Sequence, residues 1–201
     1  MTSPRRRGTE TSKTRFLLLD TAERLMLDEG YAAVGIRRVA READVTPALV
    51  NYYFPSLDEL FLAVLRRRAE QEFAMQSRAL ESDQPLRALW KYSSHPAGAT
   101  LMMEFTALSN HRKVIRQELA SYAERFRNAQ IESLDGYLKE RGIDTGELHP
   151  LAVLVVISAI SRIFVMEQAM GLTTGHAETL DLIERSVLQI DGPPAPPKEA
   201  K

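Results

Sequence analysis

One short segment places side chains that can hydrogen-bond to nucleic acid on a single face. If residues 47–54 are helical, 3.6 residues per turn bring positions four or five apart into line. The small and polar side chains then share one side: Pro47, Ala48, Asn51 and Tyr52. Asn51 and Tyr52 can bond to base edges or phosphates, and Ala48 permits close approach to the groove floor. The opposite side, which carries Leu49 and Val50, is expected to pack inward.

A turn separates this segment from another short helix. Apolar residues at i, i+3, i+4 and i+7 form a narrow stripe from Ile36 to Ala43, while Arg37, Arg38 and Arg41 point away from it. Thr46 is a favourable N-cap, and Pro47 suits the first helical position because its φ is preset. The pattern predicts a helix-turn-helix, a motif that places its second helix in the major groove. The alternative is a small helical hairpin that binds no nucleic acid.

These residues resemble the DNA-binding signature of tetracycline-repressor-type (TetR) regulators. The resemblance rests on the turn at Asp28–Tyr31, on Val45-Thr46, and on the run from Val50 to Leu60 that reads VNYYFPSLDEL. It covers roughly residues 14–65, about a quarter of the chain. The chain departs from the family at three positions, where Thr, Gly and Lys are usual: Gly35, Asp44 and Leu57. The first and third of these normally touch phosphates.

The resemblance implies a regulator that is not an enzyme and needs no cofactor. It implies a homodimer that joins through the last two helices, binds a palindromic operator and is released by a small, largely hydrophobic effector. Repression is expected, with activation left open. The implied DNA contacts in this region are Arg37, Thr46, Pro47, Ala48, Asn51, Tyr52 and Tyr53.

The amino-terminal arm is a second candidate DNA contact. Arg5, Arg6 and Arg7 stand in a segment of low apolar content, which is typical of disordered arms that follow a DNA backbone or enter a minor groove. Residues 1–68 contain twelve basic and nine acidic side chains, whereas residues 69–201 contain fourteen and eighteen. The basic end is therefore the expected DNA-facing end, although such tails are often merely solvated.

Apolar periodicity predicts an all-α protein with nine helices and no strand. In the first helix the predicted core face is Phe16, Leu19, Ala22, Leu25 and Met26. The expected domains are a helix-turn-helix domain with the basic arm at 1–55, an effector-binding and dimerisation domain at 56–190, and a disordered Pro-rich tail at 191–201. The predicted helices are 12–28, 36–43, 47–54, 56–80, 86–93, 97–110, 112–141, 150–170 and 177–190.

The middle helices are a candidate effector site because adaptable and aromatic side chains concentrate there. Charged or polar residues interrupt the same apolar stretches and need a partner in the protein or on a ligand: Glu104, Asn110, Arg125 and Arg162. Ordinary core packing and structural ion pairs remain the alternatives. The candidate effector-binding residues are Trp90, Met102, Met103, Phe105, Tyr122, Phe126, Arg125 and Arg162.

The last two helices are apolar enough to predict a dimer seam, although they could instead form the domain's own centre. Residues 151–166 are too short for a membrane span and contain Arg162, which favours a buried helix and no membrane partner. The sequence has no cysteine and no apolar run typical of a signal peptide, so a cytoplasmic protein is expected.

The sequence offers little support for catalysis or metal binding. Its four histidines are scattered and lack the spacing of metal ligands. It contains no phosphate-binding glycine loop and no nucleophile elbow. An all-helical enzyme, or a protein-interaction module with a vestigial helix-turn-helix, remains the alternative function.

Overall fold

The computed structural model describes residues 12–94, 96–140, 142, 149–186 and 188–193. Across those residues the chain forms nine α-helices and two 3₁₀ turns, with no strand, which confirms the predicted all-α class. The helices are α1 (Lys13–Glu29), α2 (Ile36–Glu42), α3 (Pro47–Tyr53), α4 (Leu57–Leu80), α5 (Pro85–Ser93), α6 (Pro96–Ser109), α7 (Lys113–Glu140), α8 (Pro150–Ala169) and α9 (His176–Ser186). The 3₁₀ turns are Tyr31–Ala33 and Leu188–Asp191.

The chain forms two compact units. The first contains Met1–Gln71 and Thr100–Tyr122, and the second contains Glu72–Ala99 and Ala123–Lys201. The boundaries fall within α4, α6 and α7. Compact units are defined by packing, whereas the domains expected from the sequence are defined by their roles, so that functional division stays a prediction.

The core of the first unit joins α1, α2, α3, α4 and α6. Leu18, Val39, Val50, Leu60 and Phe105 represent the five helices and are all completely buried. The predicted core face of α1 is confirmed except at Phe16, which is 43% exposed, because the helix turns Leu18 inward instead. Burial of such side chains stabilises the fold by about 1.5–3 kcal/mol each.

Consecutive arginines tie α4 to its neighbours within this unit. Arg67 donates to Asp20 at 2.5 Å and to Glu23 at 2.7 Å, both on α1. Arg66 forms a bidentate pair with Glu118 on α7, with N–O distances of 2.7 and 3.0 Å. The Arg66 hydrogen bond lowers the pKa of Glu118. Because the Arg67 side chain is largely buried and pairs with two carboxylates of α1, this contact fixes α4 against α1.

The core of the second unit joins α5, α7, α8 and α9, where Leu89, Leu134, Ile157 and Ile183 are buried together. The sequence predicted a buried helix at α8, and the structure corrects that expectation. Leu151–Ala169 is long and apolar enough to cross a bilayer, yet only 33% of its most apolar window is buried. Apolar residues continue beyond the buried side of the helix, where Val155, Val156, Ile163 and Met166 are 40–47% exposed.

Residues 191–193 contact the start of α5. The Asp191 carboxylate accepts a hydrogen bond from the Arg87 peptide N–H at 2.8 Å, and the Arg87 guanidinium donates to the Gly192 carbonyl at 3.0 Å. Gln84 donates to the Asp191 and Pro193 carbonyls. These contacts order residues 191–193, which the sequence assigned to the tail. The last predicted helix ends at Ser186 instead of 190, because the chain then turns towards α5.

Replacing Asp191 with Asn should change how stability depends on pH. Burial raises the pKa of Asp191, while the Arg87 peptide hydrogen bond opposes the shift. Since the folded-state pKa lies above the unfolded one, protonation favours folding; the benefit is complete below the unfolded pKa and is lost as pH rises through the folded pKa. Asp191→Asn removes the charge and keeps an acceptor for Arg87. We expect the variant to match or exceed wild-type stability at neutral pH, with the difference vanishing in acid.

Urea unfolding midpoints across a pH series check this expectation, with the exposed residue Asp83 changed to Asn as the control. A variant that is less stable than wild type at neutral pH, and equal to it in acid, would contradict the sign of the effect.

Candidate DNA-binding site

The predicted break between the two short helices is present at the expected residues. Thr46 is the N-cap of α3, and its hydroxyl accepts a hydrogen bond from the Leu49 N–H at 3.3 Å. Pro47 occupies the first turn, where a missing N–H costs nothing. Val50 is completely buried and faces Val39 and Ala40 of α2 within one core. The prediction that a helix begins at Pro47 is confirmed.

The turn that ends α2 fixes the angle at which α3 leaves. The Asp44 N–H donates to the Arg41 carbonyl at 3.3 Å, and the Val45 N–H donates to the Ala40 carbonyl at 2.9 Å. This pair of bonds is the Schellman motif, whose hydrophobic contact Val45 supplies by packing on the core. The motif requires one residue in the left-handed conformation, and Asp44 adopts that conformation with φ of 52°.

The predicted reading face of α3 is exposed. Asn51 and Ala48 lie at the surface, and 43% of Tyr52 is accessible. Tyr53 differs from them because it is half-buried and packs on the core. Its ring meets that of Tyr52 edge to face, with 5.2 Å between centroids, so Tyr53 supports the exposed ring from below. The structure therefore brings these exposed residues together on one surface: Thr46, Pro47, Ala48, Asn51 and Tyr52.

The arginines of α2 separate into paired and available side chains. Arg38 donates to Glu29 at 2.7 Å and to Glu42 at 3.0 Å. Glu42 also accepts from Arg24, and that bond is the main reason its pKa is lowered. Arg37 is exposed and has no carboxylate partner within the described residues. A guanidinium in this position is free to contact a phosphate. Arg5, Arg6 and Arg7 lie outside the described residues.

Sequence reasoning did not identify two supports of this face. The first is the Schellman turn, which three residues could have indicated: the small residue Ala40, Asp44, which tolerates the left-handed conformation, and the apolar residue Val45. The second support is a hydrogen bond from the Tyr31 N–H to the Glu104 carboxylate at 2.7 Å. The sequence indicated only that Glu104 needed a partner, because a contact across 73 positions leaves no local pattern.

The candidate effector residues fall in both compact units. The first contains Met102, Met103, Phe105 and Tyr122, and there Phe105 is completely buried in a filled core. The second contains the other four. Within it Phe126 packs on Phe73, with 5.4 Å between ring centroids, and the Arg125 guanidinium lies 4.4 Å from the Phe73 centroid. Arg125 therefore has Phe73 as an aromatic partner.

Arg162 and Trp90 have different surroundings in the second unit. Partial burial of the guanidinium, followed by repulsion from Arg127, lowers the pKa of Arg162, although much of the side chain is exposed, and no carboxylate among the described residues pairs with it. Trp90 meets Phe164 edge to face at 6.2 Å. Trp90 also lines a cavity of about 410 Å³ whose remaining lining residues are Arg87, Leu180, Asp181, Ile183 and Glu184. Among the described residues, Trp90 is the only predicted effector residue that lines this cavity.

Comparison with known families assigns the helix-turn-helix region to one of them. The family described as bacterial regulatory proteins, tetR family, matches residues 18–64, which run from α1 into α4. The chain carries a TetR-family DNA-binding domain. The resemblance predicted from the sequence is confirmed. Members of this family are transcriptional regulators.

A curated TetR-family relative extends the match beyond that domain. The HTH-type transcriptional regulator BetI of Rhizobium meliloti (strain 1021) is 30% identical over 130 residues. The aligned region is 60% of this chain and 64% of that protein, so the chain matches less than two thirds of the relative's length.

Solved structures share the fold over most of the chain. A TetR-family transcriptional regulator from Rhodococcus sp. is 16% identical, with a TM-score of 0.72 over 89% of this chain and 100% of that one. Salmonella enterica GusR is 16% identical, with a TM-score of 0.71 over 90% and 98%. A transcriptional regulator from Saccharomonospora viridis, in complex with choline, is 21% identical, with a TM-score of 0.72 over 86% and 96%. At these identities the likeness shows the TetR fold alone.

The departures from the TetR signature now have structural descriptions. Gly35 is the N-cap of α2 and gives no side-chain bond, and an added Cβ there would meet nothing within 4 Å. Leu57 begins α4 and packs on the first core, where TetR proteins usually carry a lysine. Neither side chain can contact a phosphate. Asp44 takes the left-handed conformation that the usual glycine adopts without strain.

Substitutions at Asp44 should follow its backbone conformation. Asp44→Gly relieves the left-handed strain, so we expect unchanged stability or a gain of up to ~1 kcal/mol. Asp44→Val should lose at least about 1 kcal/mol, because a β-branched side chain is disfavoured at positive φ. Urea unfolding measures both. Asp135→Gly, an exchange within helical α7, is the matched control and should instead cost roughly 0.5 kcal/mol, from lower helix propensity and loss of the Lys139 ion pair. Equal losses in the two glycine variants would refute the assigned turn.

Proposed function

We propose that this protein is a ligand-responsive transcriptional regulator, a repressor that binds a palindromic operator as a homodimer in the cytoplasm. A small, largely hydrophobic effector would release it from DNA. The observation that carries the proposal is the exposed face of α3, where Ala48, Asn51 and Tyr52 stand together on a helix whose cap, turn and buried Val50 fix its direction. A surface that is polar, rigid and small in its side chains suits the floor of the major groove.

Each predicted contact has a distinct role in this proposal. Asn51 and Tyr52 read base edges, and Ala48 allows the helix to approach them. Arg37 and Thr46 contact phosphates, with Pro47 keeping the helix start compact. Tyr53 acts by supporting the Tyr52 ring. The basic arm, Arg5 to Arg7, adds contacts to the backbone or the minor groove that do not depend on sequence.

The exposed side of α8 supports the homodimer. Val155, Val156, Ile163 and Met166 are 40–47% exposed and follow one face of the helix. On α9, Leu180 and Leu182 are also exposed. A second copy related by a two-fold axis would bury these side chains in a four-helix bundle of α8, α9 and their copies. The same axis presents two α3 helices to two half-sites about one DNA turn, ~34 Å, or a multiple of it apart.

The effector proposal rests on the aromatic and apolar residues of the middle helices. The solved relative from Saccharomonospora viridis is in complex with choline, which supports a small organic ligand within this fold. Within the second compact unit, the cavity beside Trp90 is the place that we propose for the effector. An effector acts only as far as it prefers the state that cannot bind DNA, a coupling of about 1–3 kcal/mol.

Substitutions on the α3 face should alter sequence recognition. Asn51→Ala and Tyr52→Ala remove groups that bond to bases, so each should weaken binding to a specific duplex by about 1–3 kcal/mol and relax its sequence preference. Arg37→Gln should instead weaken binding to all duplexes alike and reduce the salt slope by about 1. The probe is a duplex that the wild-type protein selects from a random-sequence pool, with affinity followed by fluorescence anisotropy.

The exposed α7 residue Glu132, changed to Gln, is the control and should bind as wild type does. If the selected duplex binds Asn51→Ala and Tyr52→Ala with wild-type affinity, α3 is not the reading helix. If the wild-type protein selects no duplex, the proposed function itself fails.

A charge on the exposed face of α8 should dissociate the homodimer. Ile163→Asp would place an unpaired carboxylate in the apolar interface, which is strongly unfavourable. We expect a monomer in sedimentation equilibrium, with weaker DNA binding because half-sites can no longer be engaged together. Gln168→Asp, on another side of the same helix, should leave the dimer intact. A wild-type protein that is monomeric, or an Ile163→Asp variant that remains dimeric, would rule out this interface.

A further inference from the structure

A carboxylate from α6 bonds to the turn that precedes the helix-turn-helix. Glu104 Oε2 accepts a hydrogen bond from the Tyr31 N–H at 2.7 Å. Tyr31 opens the short 3₁₀ turn that links α1 to α2, so its N–H has no partner within a helix. An ionised carboxylate makes a stronger and shorter bond to such an N–H than a neutral acceptor does. Both residues belong to the first compact unit.

The packing of α6 fixes where this carboxylate lies. Leu101, Phe105 and Leu108 surround Glu104 along the helix, and each is 0–2% exposed in the core that also contains α1, α2 and α3. Since close-packed side chains leave the backbone little freedom, the Glu104 backbone moves only if α6 moves.

The turn is shaped to receive the carboxylate closely. Gly30 has φ of 83°, a conformation that L side chains rarely adopt. A Cβ added at Gly30 would lie 3.4 Å from Glu104 Oε2, which is van der Waals contact, so the carboxylate lies directly against the turn. The same turn continues into Val34, which is buried, and then into α2. Its position therefore sets the start of the helix-turn-helix.

Glu104 makes no ion pair within the described part of the chain. In the same unit, the carboxylates of Glu23, Glu42 and Glu118 all pair with arginines. Within the part of the chain that the structure describes, the one hydrogen-bond donor to Glu104 is the peptide N–H of Tyr31. Its charge thus serves the turn and not a salt bridge.

We propose that Glu104 is a positioning residue for DNA recognition: its carboxylate ties the α1–α2 turn to α6 through the Tyr31 N–H and so holds α2 and α3 in the orientation that reads DNA. The inference rests on the proposed DNA-binding function and extends it to a residue outside the helix-turn-helix. It also gives a displacement of α6 a direct route to the reading face. A shift of roughly 1 Å along this bond is enough to break it, because hydrogen bonds weaken steeply beyond their normal length.

The test compares Glu104→Ala, Glu104→Gln and a control on the same helix, Thr106→Ala, in the full chain. Thr106 is exposed, and among the described residues its hydroxyl donates only to the Met102 carbonyl of its own helix. The duplex that the wild-type protein selects from a random pool is the specific probe, and a scrambled duplex of equal length is the non-specific probe. Hydrogen exchange at the Tyr31 amide, compared with amides of the core helices, reports the bond itself.

Glu104→Ala should weaken binding to the selected duplex by about tenfold, the effect expected when a charge-assisted hydrogen bond is lost. Binding to the scrambled duplex should change little, since backbone contacts need no exact orientation. Exchange at Tyr31 should accelerate while core amides keep their protection. Glu104→Gln, which retains an acceptor, should restore most of the affinity and the protection, and Thr106→Ala should match wild type.

A folded Glu104→Ala variant that binds the selected duplex as wild type does would overturn the proposal. Equal losses on both duplexes would also overturn it, since they indicate a general loss of structure. If Glu104→Ala does not fold, the wild-type and Gln proteins decide the matter: an unprotected Tyr31 amide in both overturns the proposal, and protection in both supports it. A wild-type protein that selects no duplex fails at the proposed function, whereas the Tyr31 exchange still reports whether the bond exists.

Discussion

The orientation of α3 is imposed from outside, because a helix of seven residues cannot maintain itself in water. Isolated helices shorter than about 12–15 residues are marginal even with favourable composition. α3 is held instead by Val50 in the core, by the Thr46 cap and by the left-handed turn at Asp44. Each of these contacts lies on the inner side or at the end of the helix. The outer side is therefore free to carry residues chosen for contact and not for stability.

Most charged side chains in the first unit form ion pairs with one another. Acidic residues on α1, α2 and α7 neutralise Arg38, Arg66 and Arg67, which fixes the helices around α3. Arg37 stands apart because it is exposed and unpaired within the described residues. The number of basic residues in 1–68 therefore overstates how many basic side chains are free to meet DNA. Two copies of the reading head, and the basic arm, would add to that surface in the proposed dimer.

The sequence was informative wherever structure is determined locally. Thr46 and Pro47 indicated the start of α3, and Gly30 indicated the end of α1, because helix caps depend on a few neighbouring residues. Periodicity was less informative about burial: it indicated an apolar side of α1 but chose Phe16, and it could not tell which side of α8 the chain itself would cover. Contacts between distant segments, such as Glu104 with Tyr31 or Asp191 with Arg87, leave no periodic trace. The effector residues were inferred from composition, which does not distinguish a filled core around Phe105 from a cavity beside Trp90.

The attachment of residues 191–193 to α5 has a practical consequence for protein engineering. The Pro193 carbonyl is held by Gln84 at 2.5 Å, and the Asp191 carboxylate bonds to the first turn of α5. A fluorescent label or affinity tag fused directly after Pro193 would pull on both anchors at once. A flexible glycine-serine spacer placed before the tag would separate its motion from α5.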